Sequence, residues 1–395
     1  MARVKVTADA IMMSAAPASD AGKQTYNILS LDGGPAGMLQ VRMLRKLEDA
    51  VPGFLAATDV FVGTSFGSMI MLFLASRMPD DREQAIKLSP AILDDAIQFS
   101  NQIMLAMQPT LASAAKFLLG IGPITTSQRL RAVLEGAIGN MRMRDLTRIA
   151  ACASMSMNEF TPRSFRFVRE SDELDGDMLI VDAMMASGSL PMYFDLFGNE
   201  EGNHFLDGAF VANNPSMMAV AHLLRQFSSR SERSMGPATA DELATCRVLS
   251  LGVNDSVQGL HQALTGIKLL ERISGDAMKP GALPWGLLQF IISRPSLLAA
   301  LFYQGQNSEV ARQCAALLGC RYHFRYAPCT TAFADLGEVM TGRTKDLIPV
   351  VEHDAQTLWN SPAAAPASKL TRELVKFVKE EWMSGQPDPT GSRPQ

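Results

Sequence analysis

Three short stretches have the residue types and spacing that acyl transfer needs. The first, Gly63-Thr64-Ser65-Phe66-Gly67, sets a serine between two glycines. A serine at the apex of a tight strand-to-helix turn requires small neighbours, because the backbone is crowded there, and the turn pushes the hydroxyl into the open. The positive end of the following helix favours negative charge developing at that point. Taken alone, the motif equally describes a glycine turn that packs a helix onto a sheet. The second, Asp32-Gly33-Gly34-Pro35-Ala36-Gly37, exposes backbone N–H groups of the kind that stabilise an oxyanion. It is not a dinucleotide fingerprint, since Pro35 or Ala36 stands where a glycine is needed, and no GxxxxGK[ST] occurs. A plain turn remains the alternative. The third, Asp207-Gly208-Ala209, puts a carboxylate in a turn, available as a base or simply shaping the turn.

A histidine would complete a triad in the order Ser, Asp, His. Of the five histidines, His261, His323 and His353 come late enough. None lies in a Gly-bounded loop after a clear strand, and His204 and His222 read as structural or surface residues.

The elements that must hold these stretches follow from the apolar pattern. Asn27–Leu31 is a buried strand ending in Asp32-Gly33-Gly34, and Gly37–Ala50 has helical spacing with Val41, Leu44 and Leu47 on one side. The unit repeats: strand Asp59–Val62, turn Gly63–Gly67, apolar helix Ser68–Arg77. Alternating strands and helices predict a mostly parallel sheet covered on both faces. Residues 81–148 read as a helical insertion. Strands follow at Ile149–Met157 and Ser164–Val168, then a short helix at Ala183–Ala186 and a short strand ending in a turn at His204–Gly208. Pro215 opens a helix over Ser216–Phe227, Ser228–Ala240 is a loop, and Arg247–Gly252 is another core strand. Beyond residue 260 the chain reads as mainly helical.

Composition narrows the function classes. With 36 Lys and Arg against 40 Asp and Glu, the net charge is −4 and no basic stripe appears, so no nucleic-acid partner is expected. Five widely spaced cysteines without CxxC argue against a disulfide framework and against structural zinc. No HExxH or calcium-loop pattern occurs, so no cofactor or metal is expected. No apolar run reaches the length of a spanning helix. Residues 102–121, Trp285–Ile292 and Leu297–Tyr303 are the apolar candidates for interfacial contact, with buried core helices as the plainer reading.

Together, the three motifs in this order resemble the patatin-like phospholipases. The likeness extends to Asp182–Phe194, similar to the family's A-S-x-A-x-P-x-Y-F stretch, to Leu206–Pro215, similar to its DGG-x-x-x-NNP stretch, and to Val248–Gly252. It spans residues 27–255 closely and the remainder loosely. It implies a three-layer α/β/α fold with a mostly parallel central sheet and helical insertions. It also implies a Ser–Asp dyad without histidine, with Ser65 as nucleophile and Asp207 as base. Gly33, Gly34, Ala36 and Gly37 are then the oxyanion loop. Where the family's loop reads D-G-G-G-x-R/K-G, this one is a residue shorter, carries Pro35 and lacks the basic residue. Proline has no N–H to offer. Arg42 further along could supply charge, and Phe66 stands where a small residue is usual.

The resemblance implies a lipid acyl hydrolase acting on a phospholipid or other acyl lipid, with peripheral membrane contact and an unidentified activator left open. A catalytically weak lipid-binding or scaffold protein and a general carboxylesterase are the rivals. The expected location is cytoplasmic or peripherally membrane-associated. The expected organisation is a flexible leader over 1–24 and the hydrolase domain over 25–360, including the insertion at 81–148 and a mainly helical part at 256–360. A linker and terminal helix over 361–383 and a tail over 384–395 complete it.

Overall fold

The computed structural model describes residues 25–384 except 120, 159–160, 168–175, 192, 228–239, 253–294, 329, 331–343 and 364. The leader, most of the tail and the apolar stretch Trp285–Ile292 lie outside the described residues.

The first two units form as the apolar pattern requires. Strand β1 (Tyr26–Leu31) leads into α1 (Gly37–Ala50), and β2 (Val60–Thr64) leads into α2 (Phe66–Arg77). The insertion is α3 (Arg82–Ala106), α4 (Leu111–Leu118) and α5 (Ser127–Ile138). Then come β3 (Ile149–Ser156), β4 (Thr161–Phe167), α6 (Ile180–Ser187), β5 (Phe197–Gly198), β6 (His204–Asp207), α7 (Ala209–Ala212), α8 (Ser216–Phe227), α9 (Ala240–Leu243) and β7 (Cys246–Leu251). The last described elements are α10 (Pro295–Tyr322, kinked at Gly319), β8 (His323–Tyr326), α11 (Thr344–Trp359) and α12 (Pro366–Phe377), which runs on into a π-helical turn over Val378–Trp382.

One sheet joins the strands. β3, β2, β1, β7 and β8 run parallel in that order, while β4, β6 and β5 are antiparallel additions. Side chains alternate between two cores, as a sheet covered on both faces demands. Leu29, Leu31, Phe61, Cys152, Leu249 and Leu251 join α1, α2, α3, α5, α6, α11 and α12 on one side. Ile28, Val60, Val62, Ala151 and Val248 meet α8 and the end of α10 on the other. The fold is a three-layer α/β architecture.

Two local readings change. β8 sits inside a region read as helical; four residues at a sheet edge, following a long helix, carry too little alternation to be separated from it. The Pro- and Ala-rich stretch Ser361–Ser368 reads as the linker, yet helix α12 begins within it at Pro366, with proline in the first turn, where its missing N–H removes no helical bond.

Register builds the site. β4 lies along one edge of β3 throughout, from Ala150 to Ser156. The other edge is shared: β2 pairs with Ile149–Ala153, and β6 with Ser154–Ser156. The last β2 residue, Thr64, therefore faces Ala153 while Asp207 faces the next one, Ser154. Two strands from distant parts of the chain meet end to end, so the residue that follows the first, Ser65, falls beside the last residue of the second, Asp207.

Candidate active site

Ser65 is the residue between β2 and α2. Its backbone stands at φ 52°, ψ −123°, the only positive φ among the described non-glycine residues. Strain of this kind costs about 1–3 kcal/mol and persists only where the surroundings enforce it. The enforcement is steric. A Cβ on Gly63 would lie 2.4 Å from the Gly67 carbonyl oxygen, and one on Gly67 would lie 2.5 Å from that of Asp32. Thr64 Oγ1 donates to the Ala212 carbonyl at 2.6 Å and pins the strand end.

The hydroxyl so presented donates to Asp207 Oδ2 at 2.6 Å. Asp207 is fully buried, and its other oxygen, Oδ1, accepts from the Ala209 N–H at 2.8 Å. Burial pushes its pKa up to about 7; the hydrogen bonds from the Ser65 hydroxyl and the Ala209 N–H pull the other way without cancelling it. A carboxyl poised there can take a proton and return it near neutrality.

Serines outside the three motifs hold the pair. Ser187 Oγ, at the end of α6, accepts from the Ser65 N–H at 2.9 Å, and its carbonyl accepts from the Gly208 N–H at 3.0 Å. One residue thus fixes the backbone on both sides of the dyad. Ser154 Oγ bridges the Leu206 and Ala186 carbonyls at 2.9 and 3.1 Å. Sequence reading had Ser187 only as part of a matching stretch, with no role.

The glycine loop lies beside them, and its N–H groups divide. Gly33 donates to the Asn213 carbonyl at 3.0 Å and Gly37 to the Gly34 carbonyl at 3.2 Å, so these two hold the loop's shape. Gly34, at φ 103°, and Ala36 donate to no partner among the described residues, and neither does Phe66 at the first position of α2. The base of the loop is clamped by Asp32, which accepts from both terminal nitrogens of Arg325 on β8, at 2.7 and 2.5 Å. A side chain on Gly252 would collide with that pair. Sequence reading passed over Arg325 because it stands on the unrecognised strand.

The other expectations separate here. Arg42 is buried and directed away, its guanidinium engaged by Glu352, Asn101 and the Met38 carbonyl. The Phe66 ring is buried against Gly37, where a Cβ would be 2.4 Å from it. No histidine bonds to Ser65 or Asp207 among the described residues; His323 is buried on β8, its pKa pushed down to about 4 by burial and by Arg325. His261 lies outside the described residues. Among the described residues, no cluster of three or more His, Cys, Asp or Glu is placed to hold a metal, and no helix is long and apolar enough to cross a membrane.

Comparison with known proteins follows the same residues. Residues 29–220 match the family model for patatin-like phospholipase. The chain is 28% identical over 219 residues to the cGAMP-activated phospholipase of Escherichia coli (strain TW11681), covering 52% of this chain and 58% of that protein. It is 23% identical over 302 residues to patatin-like protein 2 of Arabidopsis thaliana, covering 71% and 70%. It is 24% identical over 220 residues to the cGAMP-activated phospholipase of Vibrio cholerae serotype O1, covering 52% and 60%. The chain spans less than two thirds of the length of these bacterial phospholipases.

Proposed function

For a chain whose residues 29–220 form a patatin-like phospholipase domain, we propose a serine-dependent lipid acyl hydrolase that uses Ser65 and Asp207 as a two-residue catalytic unit. The observation that carries this is the 2.6 Å hydrogen bond from the strained Ser65 hydroxyl to a fully buried carboxyl.

Asp207 Oδ2 takes the hydroxyl proton as Ser65 Oγ forms a bond to the acyl carbonyl carbon. The carbonyl oxygen becomes an oxyanion and is received by the N–H groups of Gly34, Ala36 and Phe66. Each well-placed donor of this kind contributes about 10²–10³-fold in rate. Collapse breaks the ester bond, and the Asp207 proton passes to the departing alcohol oxygen. Water then attacks the acyl-serine, again losing its proton to Asp207, which returns it to Ser65 as the fatty acid leaves. Gly33, Gly37 and Asp32 shape the loop and touch no reacting atom.

The test is fatty-acid release from mixed phospholipid vesicles with calcium chelated, comparing wild type, Ser65→Ala and Asp207→Ala. Release by wild type alone supports the dyad. Release that survives in Ser65→Ala sinks it. Three relatives are named as cGAMP-activated, and we extend the proposal to an activator of that class: the assay run with and without cGAMP reads it directly.

A further inference from the structure

Helix α4 starts with an outward leucine, and the residues after it put two more large aliphatic side chains into solvent. Leu111 is 95% exposed, Leu119 73% and Ile121 70%, whereas Ser113 of the same helix is buried. A helix held by burial turns its leucines inward and its serines outward. Hydrogen bonds close both of its ends. The Thr110 hydroxyl accepts from the Ser113 N–H at 3.1 Å, the Ser113 hydroxyl accepts from the Thr110 N–H at 2.9 Å, and the Ile121 N–H closes the last turn on the Lys116 carbonyl at 3.0 Å.

Its charge is one-sided as well. The chain carries a net −4, yet residues 96–134 contain no Asp or Glu and hold Lys116, Arg129 and Arg131. Arg131 is paired with Glu135 and Asp182, and Arg129 donates to the backbone carbonyls of Gln108 and Leu105. Lys116 stands exposed between the outward leucines. Outward aliphatic side chains around an exposed lysine, in a stretch of sequence without anions, complement an anionic lipid surface. The region also connects to the dyad. The Thr125 N–H donates to the Tyr193 carbonyl at 3.1 Å, in the segment whose Ser189 carbonyl accepts from the Asp207 N–H at 3.1 Å.

We propose that the exposed side chains of Leu111, Lys116, Leu119 and Ile121 are a docking surface for an anionic lipid bilayer, entered by the three aliphatic residues while Lys116 meets the headgroups. This deepens the lipid-hydrolase reading and takes its purpose from it, but its test is separate.

The experiment is co-sedimentation of the full chain with vesicles of phosphatidylcholine alone or mixed with phosphatidylglycerol, beside turnover of a water-soluble short-chain ester. Wild type binds the mixed vesicles more tightly. Combined Leu111→Ser, Leu119→Ser and Ile121→Ser weakens binding by at least about tenfold. Lys116→Glu removes the preference for phosphatidylglycerol. Both variants keep wild-type ester turnover and melting temperature. A triple variant that binds like wild type, or a wild type that ignores both vesicles, overturns the proposal. A triple variant that turns a self-associated wild type into a monomer without changing vesicle binding overturns it in favour of a second copy as occupant. Absence of ester turnover in wild type would sink the hydrolase reading alone, and vesicle binding would still decide the surface.

Discussion

At the end of β1 the chain enters α1 through five residues, Asp32 to Ala36; at the end of β2, one strand over, it enters α2 through Ser65 alone. Both turns need a positive φ. The first places it on Gly34, where no Cβ is present and none would touch anything within 4 Å. The second places it on the serine and uses flanking glycines to make room, since a Cβ on Gly63 or Gly67 would strike backbone. Relaxed glycine leaves N–H groups without partners among the described residues; strain at a residue with a side chain fixes where one hydroxyl goes. The first turn is suited to receiving charge and the second to delivering a nucleophile.

The largest effect expected from breaking this contrast is at Ser65. Ser65→Ala and Ser65→Gly both lose at least about a thousandfold in fatty-acid release, as removal of a nucleophile does. They differ in stability. Glycine relieves the positive φ, so Ser65→Gly melts above Ser65→Ala by a difference of about 1 kcal/mol or more. Equal melting temperatures in calorimetry would mean that the serine backbone is not strained.

Asp207 gives the next test, in which activity and stability move oppositely with pH. Its folded pKa, raised to about 7 by burial, lies above the ordinary carboxyl value of about 3.9. Between those values the folded chain holds a proton that the unfolded chain has lost. Stability from this group is therefore fully present below about pH 4 and falls as pH climbs toward 7. As the proposed base, Asp207 must be ionised to act, so ester turnover is expected to rise over the upper part of that window and level off above it. Glu48 and Asp59 are also raised by burial and slope the same way, so the informative quantity is the difference between wild type and Asp207→Asn. The variant gains relative stability as pH rises. A pH-independent difference would remove the raised pKa from the mechanism.

Smaller effects separate crowding from conformation. Gly67→Ala forces a Cβ into the Asp32 and Leu31 backbone, at 2.5 and 2.7 Å. We expect a loss of about 2–3 kcal/mol and of most activity, because β1 and the elbow must part. Gly34→Ala meets open space and carries only its φ, a loss of about 1 kcal/mol. Denaturant unfolding of the two variants reads this, and a larger loss at Gly34 would reverse the comparison.

The two turns were legible in the sequence for the same physical reason: an apolar strand stopping at glycines, then helical spacing. What lay between them was not. Asp207 is an ordinary turn aspartate until β3 brings its edge position next to that of Thr64, and only the family resemblance singled it out. The commitment of the Gly33 N–H to the Asn213 carbonyl joins residues 180 positions apart and leaves no local signature. Arg325 was hidden because its strand is four residues long. Ser187 was hidden because a serine at a helix end has many uses; only the meeting of β2 and β6 gives its hydroxyl and carbonyl two backbone donors to accept from.

Pro35 brings the comparison to its smallest expected effect. Proline removes one N–H from the loop, and an incomplete oxyanion hole would be repaired by Pro35→Gly, with a gain of about 10²-fold or more. The geometry points the other way. Gly34 and Ala36, on either side of the proline, already have N–H groups without partners among the described residues, and Phe66 adds one from the opposing turn. The Pro35 carbonyl meanwhile accepts from the Met38 N–H at 3.2 Å and closes the first turn of α1. Proline here fixes the approach to the helix and withholds nothing the site lacks. Pro35→Gly is therefore expected to change turnover by no more than about threefold, well short of one donor's contribution, and to lower stability by about 0.4–1 kcal/mol through the freer unfolded chain. A hundredfold rise in turnover would instead place the missing donor at residue 35 and make the β1 turn, not the nucleophile elbow, the limit on catalysis.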